Sequence, residues 1–166
     1  MKKIGREVLF LATGENNPRN GEGAMIRKKD GSILLAYTAY YGDDWNDHCS
    51  ANLSAYISRD EGETWEGPQM IVEKDPDAQN IMSVSLLRMN NGDIGLFYIR
   101  KVMVDGMGLD EIVLRRSADE GQTWSEPRVC LPSDDYRVLN NDRVGKLKTM
   151  PFEYLGVGLA EVADTF

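Results

Sequence analysis

An eight-residue string occurs twice in this chain with little change. Residues 58–65 read Ser-Arg-Asp-Glu-Gly-Glu-Thr-Trp and residues 117–124 read Ser-Ala-Asp-Glu-Gly-Gln-Thr-Trp, identical at six of eight positions and offset by 59 residues. A proline follows each tryptophan at the same distance, Pro68 and Pro127. A fixed period of this length marks a repeat architecture, and it restricts the fold more than any composition figure. The flanks repeat as well. Ala24–Lys28, the turn Lys29-Asp30-Gly31 and Ser32–Tyr37 precede the first string; Val84–Met89, the turn Asn90-Asn91-Gly92 and Asp93–Tyr98 precede the second. Short apolar runs joined by Asp-Gly or Asn-Gly predict β-hairpins, because glycine reaches positive φ at no steric cost. A third strand is expected over Ala51–Ser58 and Glu111–Ser117, and a fourth over Gln69–Glu73 and Arg128–Leu131. Four antiparallel strands in each 59-residue repeat, with no stretch of about 10 residues at helical period, read as blades of an all-β propeller.

The string itself, Ser-x-Asp-x-Gly-x-Thr-Trp, resembles the Asp box (BNR repeat) of the sialidase, or neuraminidase, superfamily, and the resemblance spans roughly residues 14–143. It implies a six-bladed propeller and, for many members, an exo-acting glycosidase that releases terminal sialic acid or a related acidic sugar. Blade 1 is expected at about 24–73, blade 2 at about 81–131, the start of blade 3 at about 137–150, and an irregular tail over 151–166. At 59 residues per blade the 166 residues hold about 2.8 repeats, fewer than the roughly 4–8 blades that close a ring. The expectation is therefore an incomplete part of a sialidase-like propeller, an N-terminal fragment that is inactive alone and self-associates through its unclosed edge. The resemblance assigns the nucleophilic tyrosine, its partner glutamate and further arginines to later blades, and none of these is assignable here.

Box residues read as structure rather than chemistry. Asp, Gly and Thr suit a tight turn whose side chains bond nearby backbone, and the tryptophan is an apolar plug with one N–H to satisfy. Ser58, Asp60, Gly62, Thr64 and Trp65, with Ser117, Asp119, Gly121, Thr123 and Trp124, are assigned that role, and both tryptophans are expected to be buried at equivalent positions.

In an up-and-down four-stranded blade the first and third connections share one end, and the second and fourth share the other. The short hairpin turns and both boxes take the first end. Thr13–Gly23, Tyr41–Ser50, Lys74–Asn80, Val102–Asp110 and Pro132–Asp142 take the second; they are longer, non-repeating and rich in Asp, Asn, Glu and Gly, as functional loops on a rigid scaffold are.

Candidates come from that end. Arg19 and Glu22 lie in Asn17-Pro18-Arg19-Asn20-Gly21-Glu22-Gly23. A guanidinium fork suits a carboxylate because it bonds both oxygens. The resemblance implies an arginine here for the sugar carboxylate, although the Arg-Ile-Pro motif is lacking and, counted back from Gly31, the family's arginine falls at Gly21. The plainer reading is a surface arginine bonding loop carbonyls. Asp47, in Gly42-Asp43-Asp44-Trp45-Asn46-Asp47-His48, lies in the stretch where the resemblance implies the acid/base aspartate. A carboxyl there could protonate a leaving oxygen if burial or like charge raised its pKa; otherwise it belongs to a solvated acidic loop. His48, Asn141 and Arg143 complete the set as substrate contacts, Arg143 alternatively pairing with Asp142.

Composition excludes other classes. Lys plus Arg is 19 and Asp plus Glu is 27, a net charge of −8, which disfavours nucleic acid and anionic membrane as partners. No apolar run approaches the ~18 residues needed to span a bilayer. One histidine and two cysteines leave no metal-ligand pattern and no disulfide framework, so no metal or cofactor is expected. The five-residue run Val8–Ala12 is too short for a secretory signal, and the expectation is a cytoplasmic location. Two functions remain: a sialidase-type glycoside hydrolase binding an anionic glycan, or a non-catalytic propeller piece that binds glycans or proteins.

Overall fold

A computed structural model describes residues 5–131, 139 and 142–145 of the chain. Eight strands form two sheets of four. In spatial order the first holds β1 (Asn20–Arg27), β2 (Ile33–Tyr40), β3 (Ala51–Ser58) and β4 (Glu66–Val72). The second holds β5 (Ala78–Arg88), β6 (Ile94–Val104), β7 (Met107–Ser117) and β8 (Arg128–Leu131). Every neighbouring pair is antiparallel, so each sheet is the meander expected of a blade, and the described residues contain no helix.

The second sheet is longer than the repeat suggested. β5 reaches back to Ala78, and the segment Val102–Asp110, expected as a loop, is strand on both sides of a two-residue turn. Asp105 and Gly106 occupy that turn at φ 50° and 80°, the positive values a tight hairpin requires. Asp-Gly is the same signal that located the other hairpins; between two methionine-bearing segments it passed for loop. In the first sheet, β4 starts at Glu66 rather than Gln69.

Period-2 alternation decides where the core sits. Ala24, Leu34, Ala36, Leu53, Ala55 and Val72 point from the first blade into a shared apolar layer with Ile81, Val84, Leu86, Ile94, Leu96, Tyr98 and Val113 of the second. Each fully buried aliphatic side chain in it contributes about 1.5–3 kcal/mol. Two blades face to face thus bury what one sheet alone would leave wet. On the far face of the second blade, Leu139 and Val144 pack against Met89, Phe97 and Leu114. Of the expected third blade, residues 137, 138, 140, 141 and 146–150, Asn141 among them, lie outside the described residues, as does the tail 151–166.

Both boxes fold alike. Ser58 Oγ donates to Asp60 Oδ1 at 2.9 Å, and Asp60 accepts from Thr64 N–H at 2.8 Å and from Thr64 Oγ1 at 2.6 Å. Ser117, Asp119 and Thr123 repeat those bonds at 2.7, 2.9 and 2.5 Å. Glu61 and Glu120 both sit at positive φ, 61° and 63°, ahead of glycines at 87° and 86°. The tryptophans depart from expectation, because both are half-buried rather than buried. Trp124 packs on the core between the blades, beside a box whose Gly121 lies against Leu34. Trp65 bonds Gly62 O at 3.1 Å on the side of the first blade that no other described blade covers.

Candidate functional site

At the end opposite the boxes, Arg19 gathers the acidic residues around one guanidinium. Its Nη1 donates to Asp47 Oδ1 at 2.5 Å and to the Trp45 carbonyl at 3.2 Å, while Nη2 reaches Glu22 Oε1 at 3.3 Å. Its Cζ lies 4.5 Å from the ring centroid of Tyr40, a cation–π contact on a fully buried aromatic. Tyr40 is the last residue of β2. Its N–H donates to Arg19 O at 3.1 Å, and Asn17 Nδ2 donates to both Arg19 O and Tyr40 O at 3.1 and 2.6 Å. The turn before β1 is thereby tied to the end of β2, and the arginine has a floor.

The register question raised by Gly21 has a geometric answer. A Cβ at Gly21 would stand 3.3 Å from the Tyr40 ring and 3.6 Å from Arg19 Nη2. The guanidinium of Arg19 fills the space into which a side chain at 21 would point. A bulge in β1 between Gly21 and Gly23 lies beside it.

Asp47 sits on the loop 41–50, whose turn is made locally. Asp44 Oδ1 accepts from Trp45 N and Asn46 N at 2.6 and 3.2 Å, and Asn46 Oδ1 accepts from His48 N at 2.7 Å. The hydrogen bond from Arg19 holds the Asp47 carboxyl below the usual carboxylate range; partial burial opposes this, and the charges of Arg19, Lys101 and His48 reinforce it. The three aspartates of the loop therefore do not raise the pKa of Asp47, as like charges would; the arginine dominates. Burial pushes the Tyr40 phenol up, with Glu22 and Asp47 adding to the effect and Arg19 opposing it.

Of the remaining candidates, His48 is exposed on the same loop. Arg143 is held elsewhere: its N–H donates to Ser85 Oγ at 3.1 Å, and its guanidinium makes no ion pair among the described residues. Asp142 bonds backbone of β5, accepting from Leu86 N at 3.2 Å, so the Asp142–Arg143 pair considered from sequence is not formed. Arg19, Glu22 and Asp47 are brought together; Arg143 does not touch them.

Sequence reasoning passed over four residues here. Tyr40 read as one more apolar strand residue. Asn80, Lys101 and Asp110 are neighbours in one row across β5, β6 and β7 at this end, all buried. Burial pushes the Asp110 carboxyl up against the opposing charge of Lys101. The available signal was a polar residue in an otherwise apolar strand. Among the described residues no three of His, Cys, Asp or Glu are grouped to hold a metal. A groove of about 310 Å³ beside the second box, lined by Met70, Arg115 and Trp124 among others, shares no residue with this cluster.

Residues 50–153 match the family model described as a BNR repeat-like domain. Among solved structures, a protein of unknown function from Dyadobacter fermentans is 21% identical, with a TM-score of 0.59 over 70% of this chain and 37% of its own. The Hadza microbial sialidase Hz136 is 17% identical, with a TM-score of 0.58 over 69% of this chain and 26% of its own. NanB sialidase of Streptococcus pneumoniae is 8% identical, with a TM-score of 0.58 over 78% and 39%. This chain thus spans between 26% and 39% of the length of those three. Likeness at these identities is likeness of fold. No curated protein matches in sequence.

Proposed function

Since the chain belongs to the BNR repeat-like domain family, we propose that it forms two blades of a sialidase-type glycoside hydrolase acting on a terminal sialic acid or related acidic sugar, inactive without the rest of its ring. The observation that carries this reading is the juxtaposition of Arg19, Asp47 and Glu22 over Tyr40 at the loop end. A cation that holds a carboxylate stands beside a carboxyl group able to move a proton.

The proposed chemistry turns on competition for Arg19. With no ligand, the Nη1 of Arg19 is spent on Asp47 and the Trp45 carbonyl, and its Nη2 on Glu22. A sugar carboxylate that takes the guanidinium fork must displace Asp47. Asp47 then loses the hydrogen bond that chiefly depresses its pKa. A sugar ring over the loop adds burial, which raises the pKa further. Asp47 thereby becomes a general acid when a substrate is present to accept its proton on the leaving oxygen. Glu22 keeps Arg19 oriented during the exchange.

One observation favours the alternative, a non-catalytic module that binds anionic glycans. Unliganded Asp47 is kept ionised, the wrong state for a general acid. Turnover of a fluorogenic sialoside by the intact propeller separates the two readings. Asp47→Asn is expected to abolish turnover and to strengthen binding of N-acetylneuraminic acid, since Arg19 loses its rival. Asp60→Ala is expected to lower stability chiefly. Full turnover in the Asp47 variant would defeat the hydrolase assignment. Self-association belongs to the same proposal: Met25 is exposed between Ala24 and Ile26, on the face of β1 opposite the one that packs toward blade 2.

A further inference from the structure

The loop that carries Asp47 belongs to blade 1, yet its backbone is held by blade 2. Asn80, on β5, is fully buried, and its Nδ2 donates one hydrogen to Asp47 O at 2.8 Å and the other to Cys49 O at 2.9 Å. Lys101, on β6 and 9% exposed, adds a bond from Nζ to Asp47 O at 3.3 Å. Residues 46–49 form a turn closed by the Cys49 N–H on Asn46 O at 3.1 Å, and the one amide of Asn80 catches the carbonyls of Asp47 and Cys49 on it. The other bonds of residues 44–49 run within the loop or to Arg19. Asp47 itself is exposed. Among the described residues nothing else buried grips this stretch of chain.

Such a buried amide needs a reason to be where it is. Desolvating an asparagine side chain costs free energy that only its hydrogen bonds offset, and Asn80 Oδ1 has no partner among the described residues. A leucine, branched at Cγ as asparagine is and somewhat larger, would carry no such polar cost. What leucine could not do is hold two loop carbonyls.

We infer that Asn80 is a positioning residue: it fixes the Asp47–Cys49 backbone so that the Asp47 carboxylate meets the Arg19 guanidinium. Arg19 holds the side chain from blade 1, and Asn80 holds the main chain from blade 2. The role of this geometry in catalysis rests on the reading of Asp47 as acid/base; the positioning itself does not.

The test is a carbon-detected NMR titration of the Asp47 and Asp60 carboxyls in the whole chain. The charged groups acting on Asp47 are Arg19, Lys101 and His48, and all three are retained in Asn80→Leu, which removes both hydrogen bonds without changing charge. The expected result is that the Asp47 midpoint moves up toward the ordinary aspartate value, while Asp60, held low by its own box, does not move. A merely structural role would shift both carboxyls through loss of folding, or neither. An Asp47 titration identical to wild type in the folded variant overturns the inference. Should Asn80→Leu not fold, Asn80→Ser, which loses the reach but keeps a polar group, is read the same way. Failure of the hydrolase reading would appear instead as sialoside turnover by Asp47→Asn, an assay in which Asn80 takes no part.

Discussion

Replacing Glu120 by glutamine should loosen the join between the two blades by an amount that depends on pH. Glu120 is the second x of the second box, and its carboxylate takes a bidentate pair from Arg88 at 2.6 and 2.8 Å. It also accepts from the Lys29 N–H of the neighbouring blade at 2.9 Å, with Lys29 Nζ at 3.3 Å. Arg88 in turn donates to Arg27 O of that blade at 3.2 Å. The arginine hydrogen bond leads the causes that hold the Glu120 carboxyl at about 2, down from its ordinary 4.5. That depression sets a ceiling of about 3 kcal/mol. The side chain is 18% exposed, so screening by water leaves about 1–2 kcal/mol. Because the folded pKa lies below the unfolded one, the contribution is complete above about pH 4.5 and fades as pH falls toward about 2. Urea unfolding of wild type and Glu120→Gln should therefore differ by about 1–2 kcal/mol near neutral pH and converge at about pH 2. Among the described residues the equivalent Glu61 pairs only with Arg27, within its own blade, and its side chain is 72% exposed; Glu61→Gln should leave unfolding essentially unchanged. Equal unfolding of wild type and Glu120→Gln at neutral pH, or a gap that persists at low pH, would refute the reasoning.

Two further substitutions test the packing. Trp124→Ala removes a ring seated on the inter-blade core and should cost about 3 kcal/mol by denaturant unfolding, more than Trp65→Ala; equal losses would mean that the core between blades is not what Trp124 supports. Gly67→Ala demands φ 146° of an alanine and brings its Cβ to 2.8 Å from both Ala55 O and the Tyr56 ring, so a loss of about 2–4 kcal/mol is expected. An unchanged unfolding midpoint would contradict the close approach of β4 to β3 at Gly67.

Much of the fold was legible because it is local and repeated. Hairpin turns at Asp30-Gly31 and Asn91-Gly92 and the two boxes state their own geometry in a few residues, and alternation assigns the faces. β3 and β8 fall at the expected residues, Ala51–Ser58 and Arg128–Leu131. What failed was extent: β5, β6 and β7 continue past the apolar runs because backbone pairing carries polar residues such as Asn80, Lys101 and Asp110 along with it. Burial of both box tryptophans was also overestimated: Trp124 is only partly buried although it packs on the core between the blades, and Trp65 lacks even that contact.

The candidate site was legible only where topology could substitute for contact. Counting connections brings Arg19, Glu22 and Asp47 to one end of a blade, and the structure joins them through one guanidinium. No counting rule predicts that Arg19 takes the space a side chain at position 21 would use, or that the aspartate is held ionised rather than primed. Nor could it show that a β5 asparagine fixes a loop 31 to 33 residues earlier in the chain. These are tertiary facts with a common cause. Blade 1 supplies the charged groups, but its loop makes too few bonds to its own sheet to hold them in register. Blade 2 supplies that register from strand positions that look ordinary in sequence. The smallest unit in which the Arg19–Asp47 geometry is defined is therefore a pair of blades, and a substitution on β5 can alter a carboxylate that it never touches.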